Sequence, residues 1–403
     1  MQKIKSYIKE NEILLFILLC TILIIGAIFI RLININYESS DYTIYLIRWW
    51  NAIKELGIKE GLKANIGNYT EFYKVVLAIG TLFTNNALWY IKFSTMIFEI
   101  LFAFVIYLFA KNIFHKGKKT SVLIALCSLF IPTVIANGAI AAQCDIIFTT
   151  MACFMIYFML TEKYKTSMIF FGIAFAIKLQ AIFIAPIILY LIINKKIKIR
   201  YLLLIPIPYL IFGLPALIAG KDIMEILTVY INQADGYSYW TLNAPNVYQI
   251  GELNLVDIPK LANWITIGVT GLVVLLTFII FRKKYSKNLV LMLSLFFALI
   301  IPYLLPRMHE RYMFMADIFS FIYVLAFGIK FLPIHLCIGV ASFFSYFDFM
   351  KGFYMNTFGP TVLDIFNLHV LALFNMLAVV IIVFKLALEY RKESIKRRSE
   401  EEN

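Results

Sequence analysis

Long apolar runs, each closed by charges or a polar turn, dominate the pattern along the chain and fall at 13–30, 87–110, 120–136, 146–160, 167–194, 201–219, 262–281, 288–304, 314–329, 332–347 and 368–390. A helix needs about 20 apolar residues to cross a bilayer, so the runs predict an all-α polytopic membrane protein. The run 167–194 is long for one crossing and short for two. It carries Lys178 and Gln180 at its centre and has basic residues at both ends (Lys163, Lys165; Lys195, Lys196, Lys198, Arg200). That pattern fits two short half-helices meeting at Lys178-Leu179-Gln180 and gives about twelve transmembrane helices, within a range of roughly 11–13. Between the first two runs, Asp41 to Leu56 sets Tyr42, Tyr45, Leu46, Trp49 and Trp50 at near-helical spacing ahead of a stop at Gly57, and Glu71 to Thr84 is an apolar segment too short to span easily. Both predict amphipathic helices lying at the membrane surface. The run 13–30 follows a basic start without a small-residue cleavage pattern, which reads as a retained first helix.

Composition agrees with this reading. The chain has 403 residues, 62% hydrophobic and only 15% charged, with a mean hydropathy of +0.84, far from a soluble globular protein. A soluble enzyme with a tail anchor is excluded. The net charge of +13 would suggest nucleic acid in a soluble chain, but here it is mostly topology and no nucleic-acid partner is expected. With both termini cytoplasmic, 23 Lys and Arg lie inside, 11 lie in the far longer outer segments, and three (Lys92, Lys178, Lys385) lie within spans. One orientation therefore satisfies every short loop. It leaves two long outer segments, 31–86 and 221–261, within a single transmembrane domain over 1–390, followed by a charged tail at 391–403. The five cysteines (Cys20, Cys127, Cys144, Cys153, Cys337) show no CxxC or paired spacing, so neither a disulfide framework nor a zinc site is expected.

Five polar clusters map to the outer face or just beneath it: Glu38-Ser39-Ser40-Asp41-Tyr42, Asn68-Tyr69-Thr70, Gln143-Cys144-Asp145, Lys178-Leu179-Gln180, and Arg307-Met308-His309-Glu310-Arg311-Tyr312. A charge in the apolar zone costs a few kcal/mol on insertion scales, so each must face a cavity or a partner. Pairing of Lys178 with Asp145, or of Asp317 with Arg311, could serve merely to close the bundle. Two arginines, a histidine and a lysine gathered around carboxylates at one depth suit another task, the holding of a phosphate beside a general base.

Six segments carry a resemblance: S-S-D-Y-x-x-Y-L-x-x-W (39–49), N-Y-T (68–70), Q-C-D (143–145), F-A-I-K-L-Q-A-I-F (175–183), N-A-P-N-V-Y-Q (243–249) and P-R-M-H-E-R-Y (306–312). In this order and on this side of the membrane, the chain resembles a GT-C-fold integral membrane glycosyltransferase, of the bacterial group related to the second mannosyltransferase of the GPI-anchor pathway. One departure is Glu71-Phe72-Tyr73, where that group would place prolines after Asn-Tyr-Thr. The resemblance implies a GT-C-like fold in the bacterial plasma membrane with the active site on the outer face. It further implies transfer of a hexose, mannose foremost, from a polyprenyl-phosphate donor (undecaprenyl phosphate in a bacterium) to a glycan, lipid or protein acceptor, with inversion. The first-loop carboxylate that acts as base in such enzymes matches Asp41. Donor-phosphate binding falls to Lys178, His309 and Arg311, with Arg307 in reserve. Sugar or acceptor contacts fall to Gln143, Asp145, Gln180, Asn68, Tyr69, Asn243, Asn246, Tyr248, Gln249 and Tyr312. No DxD in the first outer loop and no His/Cys cluster argues for a metal, so no cofactor is expected, a divalent cation being the alternative.

Two other classes share parts of the pattern. A polytopic transporter or lipid-linked oligosaccharide flippase also has many helices with buried charges, although carriers usually show two related halves with matched breaks. A polysaccharide polymerase or ligase would share the lipid and the compartment but use outer-loop arginines for catalysis.

Overall fold

The computed structural model describes residues 2–401. All eleven apolar runs are helical, and the described strands amount to one two-residue parallel ladder, β1 (Thr241–Leu242) with β2 (Met308–His309). Among the described residues six helices are long and apolar enough to span a membrane alone: Asn11–Ile33, Ala87–Ile113, Ile199–Ile218, Lys260–Phe281, Lys287–Leu304 and Leu368–Ile395. Two bent pairs, Lys118–Ser128 with Pro132–Ile140 and Ile329–Phe344 with Phe347–Ile365, raise the number to eight if each pair is one span. The count near twelve also took in the shorter apolar helices Asp145–Leu160, Tyr164–Ile177 and Leu179–Ile193, which the runs alone do not distinguish from full spans. The chain is a multi-pass, all-α membrane protein.

The break within 167–194 falls where the buried charge sits. Helix Tyr164–Ile177 ends at Lys178, whose backbone is extended (φ −153°, ψ 138°), and a 3-10 turn over Leu179–Ile184 leads into helix Ala185–Ile193. Helix Ile47–Lys63 is interrupted at Gly57 (φ 76°) as expected, but the chain resumes helix beyond it instead of stopping. Glycine tolerates the left-handed conformation at no steric cost, so the break changes direction without ending the element. The second surface helix runs Glu71–Phe83. Helix Lys351–Ile365 lies between the apolar runs 332–347 and 368–390 and belongs to the segment bent against Ile329–Phe344.

Helix Asp145–Leu160 is buried along nearly its whole length and packs on Tyr164–Ile177 and Ala87–Leu108, while Lys287–Leu304 is the second enclosed helix. The first span is almost wholly exposed, with Leu14, Leu15, Ile25 and Phe29 facing outward, as expected for side chains whose solvent is lipid. Its end is tied down by charge. Arg31 meets Glu99 at 2.5 Å and donates to the Leu129 carbonyl at 2.8 Å, and Lys92 Nζ donates to the Asn34 and Tyr37 carbonyls at 2.7 Å each. These carbonyls follow the helix end and have no helical donor of their own. Asp317 lies against His335 at 3.2 Å, not Arg311, because helix Phe314–Phe327 packs that side on Leu332–Phe344. Arg311 is thereby left to the site.

Candidate active site

A helix start presents the first-loop carboxylate. The Ser39 hydroxyl accepts from the Tyr42 backbone N–H at 3.2 Å and donates to the Ala141 carbonyl at 2.7 Å, so a serine cap also pins this turn to the segment before Gln143. Asp41 follows in the first turn, where the helix dipole favours a negative charge. A π-helical turn over Tyr42–Leu46 comes next, and a second one, Ala136–Ile140, precedes Gln143. Such turns are frequent at functional sites because they displace side chains from the regular helical rows.

Asp41 is held by two donors on one oxygen. Gln143 Nε2 reaches Asp41 Oδ2 at 2.7 Å and Arg311 Nη1 reaches it at 2.6 Å. Arg311 Nη1 also donates to Glu310 Oε1 at 2.8 Å, and Arg311 Nε stands 4.0 Å from Asp145 Oδ2. Burial pushes the Asp41 carboxyl above its ordinary range and Glu310 adds to the rise, while the Arg311 guanidinium opposes both. Burial would also raise Glu310, but Arg311 and His309 together outweigh it and hold that carboxyl low. The two acids beside one arginine are thus pushed apart, Asp41 being the readier to take up a proton.

Asp145 anchors the opposite wall. Its carboxylate pairs with Lys178 and accepts from Asn137 Nδ2 at 2.8 Å, and its backbone N–H donates to Asn137 Oδ1 at 3.1 Å. Asn137 Nδ2 also reaches the Tyr346 hydroxyl at 2.8 Å. Tyr69 donates to Gln143 Oε1 at 3.3 Å, and Lys178 Nζ lies 5.5 Å from the centre of the Tyr69 ring. Trp49 stacks edge-on against the same Tyr69 ring with centres 5.1 Å apart, and Gly67 leaves room for its indole. That glycine has φ +70°, and a Cβ there would lie 2.6 Å from the Trp49 indole.

These residues surround a cavity of about 790 Å³, within the size range of small-ligand sites. Asp41, Asn68, Tyr69, Gln143, Lys178, Gln180, Asn243, Arg307, His309, Arg311 and Tyr312 all line it. Asp145 stands behind that wall, acting through Lys178. The remaining three expected contacts lie elsewhere. Asn246 caps its own turn by accepting from the Tyr248 N–H at 3.2 Å, the Tyr248 hydroxyl bonds the Leu304 carbonyl, and Gln249 Nε2 donates to Asn254 at 3.1 Å. They build the second outer loop and do not reach the cavity, because Asn375 takes hold of this loop by donating to the Pro245 carbonyl at 2.8 Å. Asn243 lines the cavity but shares reciprocal bonds with Asn254 at 2.6 and 2.8 Å.

The ladder of β1 with β2 brings the loop onto the Arg307–Tyr312 segment, and Arg307 N–H donates to the Trp240 carbonyl at 3.0 Å. Ala142, Asn243 and Arg307, each at or beside the cavity, have positive φ (57°, 58° and 62°). Non-glycine residues in that region cost of order 1–3 kcal/mol and cluster at functional sites. Reading the sequence assigned no role to Glu310, Tyr237, Asn137 or Tyr346. Tyr237 stacks edge-on against His309 with ring centres 4.8 Å apart. Glu310 was in view within a basic cluster, whereas Asn137 and Tyr346 give no local signal. Among the described residues no group of three or more His, Cys, Asp or Glu could hold a metal ion.

Residues 72–220 match the family model described as dolichyl-phosphate-mannose-protein mannosyltransferase. No curated protein matches the chain. The matched stretch contains Gln143, Asp145, Lys178 and Gln180, whereas Asp41 and the Arg307–Tyr312 segment lie outside it. Fold and match together support a membrane glycosyltransferase of the mannosyltransferase type.

Proposed function

We propose that the protein transfers a hexose, mannose foremost, from a polyprenyl-phosphate donor to an acceptor hydroxyl at the outer face of a bacterial plasma membrane, with inversion, and that it belongs with the group related to the second GPI-anchor mannosyltransferase. One observation carries this reading: a doubly held carboxylate, Asp41, shares a single cavity with Lys178, Arg307, His309 and Arg311. In the step, Asp41 accepts the proton of the acceptor hydroxyl as its oxygen attacks the anomeric carbon from the face opposite the phosphate. The bond from that carbon to the phosphate oxygen breaks, and its electron pair leaves with the polyprenyl phosphate. Cationic groups stabilise the departing charge, and a carboxylate whose proton affinity is raised by burial is the better base.

The geometry divides the cations. Arg311 spends Nη1 on Asp41 and Glu310 and so sets the base as much as it meets phosphate. Lys178 is paired with Asp145 and His309 stands 3.7 Å from Glu310, and both face the cavity with Arg307 as the donor-phosphate contacts. No metal is required by this scheme. Asp41→Asn keeps the shape and the bond to Arg311 but removes the proton acceptor. With polyprenyl-phosphate mannose and a membrane acceptor extract, transfer should fall by roughly 10²–10⁴ with yield and elution unchanged. Transfer near the wild-type rate would remove Asp41 from the base role.

A further inference from the structure

Among the described residues four carboxamide oxygens are buried without a hydrogen-bond donor, and three of them belong to residues lining this cavity, Gln180, Gln233 and Asn263, while the fourth, on Asn375, lies away from it. They come from separate elements. Gln180 sits on the 3-10 turn two residues after Lys178, Gln233 near the end of helix Ile223–Asp235, and Asn263 in the first turn of the spanning helix Lys260–Phe281. Gln180 and Asn263 are only 3% and 9% exposed. A buried carbonyl oxygen is ordinarily partnered, because leaving it without a donor is costly. Two other amides of the cavity have partners: Gln143 in Asp41 and Tyr69, and Asn243 in Asn254. The convergence of three unsatisfied acceptors therefore points to donors brought by a ligand.

We propose that Gln180, Gln233 and Asn263 form the hydroxyl-binding subsite for the transferred sugar and set which hexose is accepted. The assignment rests on the sugar-transferase reading above. The chemistry divides the cavity in two. Lysine and arginine donate only and suit a phosphate, whereas a carboxamide both accepts and donates and so matches a hydroxyl group, which does the same. Gln180 follows Lys178 so closely that the sugar must lie next to the phosphate, and Asn263 and Gln233 flank the stem of the second outer loop, where the Trp240 N–H donates to the Val256 carbonyl at 2.8 Å. A site built to bond specific hydroxyls rejects a sugar that presents them differently, because its polar groups are then left without partners.

The test compares transfer from polyprenyl-phosphate mannose and polyprenyl-phosphate glucose, which differ at one carbon, in the wild type and in Asn263→Leu, Gln180→Met and Gln233→Met. The wild type should discriminate between the two donors by at least about 100-fold. Each variant should lose about 10- to 100-fold in kcat/KM for the better donor, and the discrimination should shrink in at least Asn263→Leu and Gln180→Met. Thermal unfolding supplies the readout of a merely structural role. Because the oxygens have no partner to lose, Asn263→Leu should unfold at or above the wild-type temperature. Unchanged discrimination in all three variants, with the wild type active, overturns the subsite alone. A variant that loses both stability and activity while keeping its discrimination assigns the residue to folding and likewise overturns it. A wild type that neither binds nor turns over either lipid fails the sugar-transferase reading itself, and the subsite falls with it.

Discussion

Arg311 stands between two carboxylates that behave differently. Its Nη1 bonds Asp41 at 2.6 Å and Glu310 at 2.8 Å, and burial lifts Asp41 while Arg311 and His309 hold Glu310 low. If Asp41 must be ionised to accept the acceptor proton, kcat/KM falls as pH drops through its raised pKa. Arg311 is the chief influence lowering that pKa, so Arg311→Gln should move the acid limb to higher pH, besides reducing the rate. A pH–rate profile of both proteins checks this; an acid limb in the same place, or one moved to lower pH, would contradict the electrostatic role given to Arg311. At this scale much of the site was legible in the sequence. Asp41, Lys178, His309 and Arg311 stood out because charges in or beside apolar runs need a reason. Asn246, Tyr248 and Gln249 lie away from the cavity for a physical cause: a polar residue in a loop can face a cavity or pack its own loop, and the bond that holds this loop, from Asn375 to the Pro245 carbonyl, spans 130 positions along the chain. Gln233 and Asn263 look like ordinary loop-end residues until the burial of their oxygens is seen.

Elements position these residues through breaks more than through regular helix. The extended backbone at Lys178 turns its ammonium toward Asp145, and the π-helical turns follow Asp41 and precede Gln143. The break at Lys178 was legible because a charged and an amide residue interrupt a run too long for one span. The helix at Lys351–Ile365 was not, because its mixed polarity hides a segment that is helical by its packing. Gly67 offers the sharpest test at this scale. Its φ of +70° and the indole 2.6 Å from a would-be Cβ together forbid a side chain, so Gly67→Ala must shift Trp49 or the Asn68–Tyr69 turn. Strain at such a position costs of order 1–3 kcal/mol. The variant should fold with a lowered unfolding temperature and lose transfer about 10- to 100-fold, since small misplacements in a site carry costs of that size. Wild-type activity in Gly67→Ala would show that the Trp49–Tyr69 contact does not position the cavity wall.

At the scale of the molecule, the account needs the cavity to open on the face carrying 31–86 and 221–261. The distribution of Lys and Arg puts that face outside, and the structure brings both segments to the same cavity. In a cysteine-free background, Lys59→Cys should react with a membrane-impermeant maleimide on intact cells and Lys118→Cys only after lysis, both positions being exposed. The reverse pattern would place the site inside. The all-α class and the boundaries of the long spans could be read from hydropathy, whereas the division between full spans and short enclosed helices could not, because an apolar run does not reveal whether lipid or protein surrounds it. Helix Asp145–Leu160 and the first span read alike in sequence, yet one is enclosed and the other faces outward.

The central claim is that this cavity holds a lipid-phosphate-linked hexose beside Asp41. Native mass spectrometry of the protein in mild detergent, with polyprenyl-phosphate mannose added back and Arg311→Ala as comparison, tests it most directly. The account predicts a bound species whose mass includes one hexose on a polyprenyl phosphate, retained by the wild type and largely lost from the variant. A wild type that holds no such lipid even after addition would contradict the account and shift the weight to a transporter.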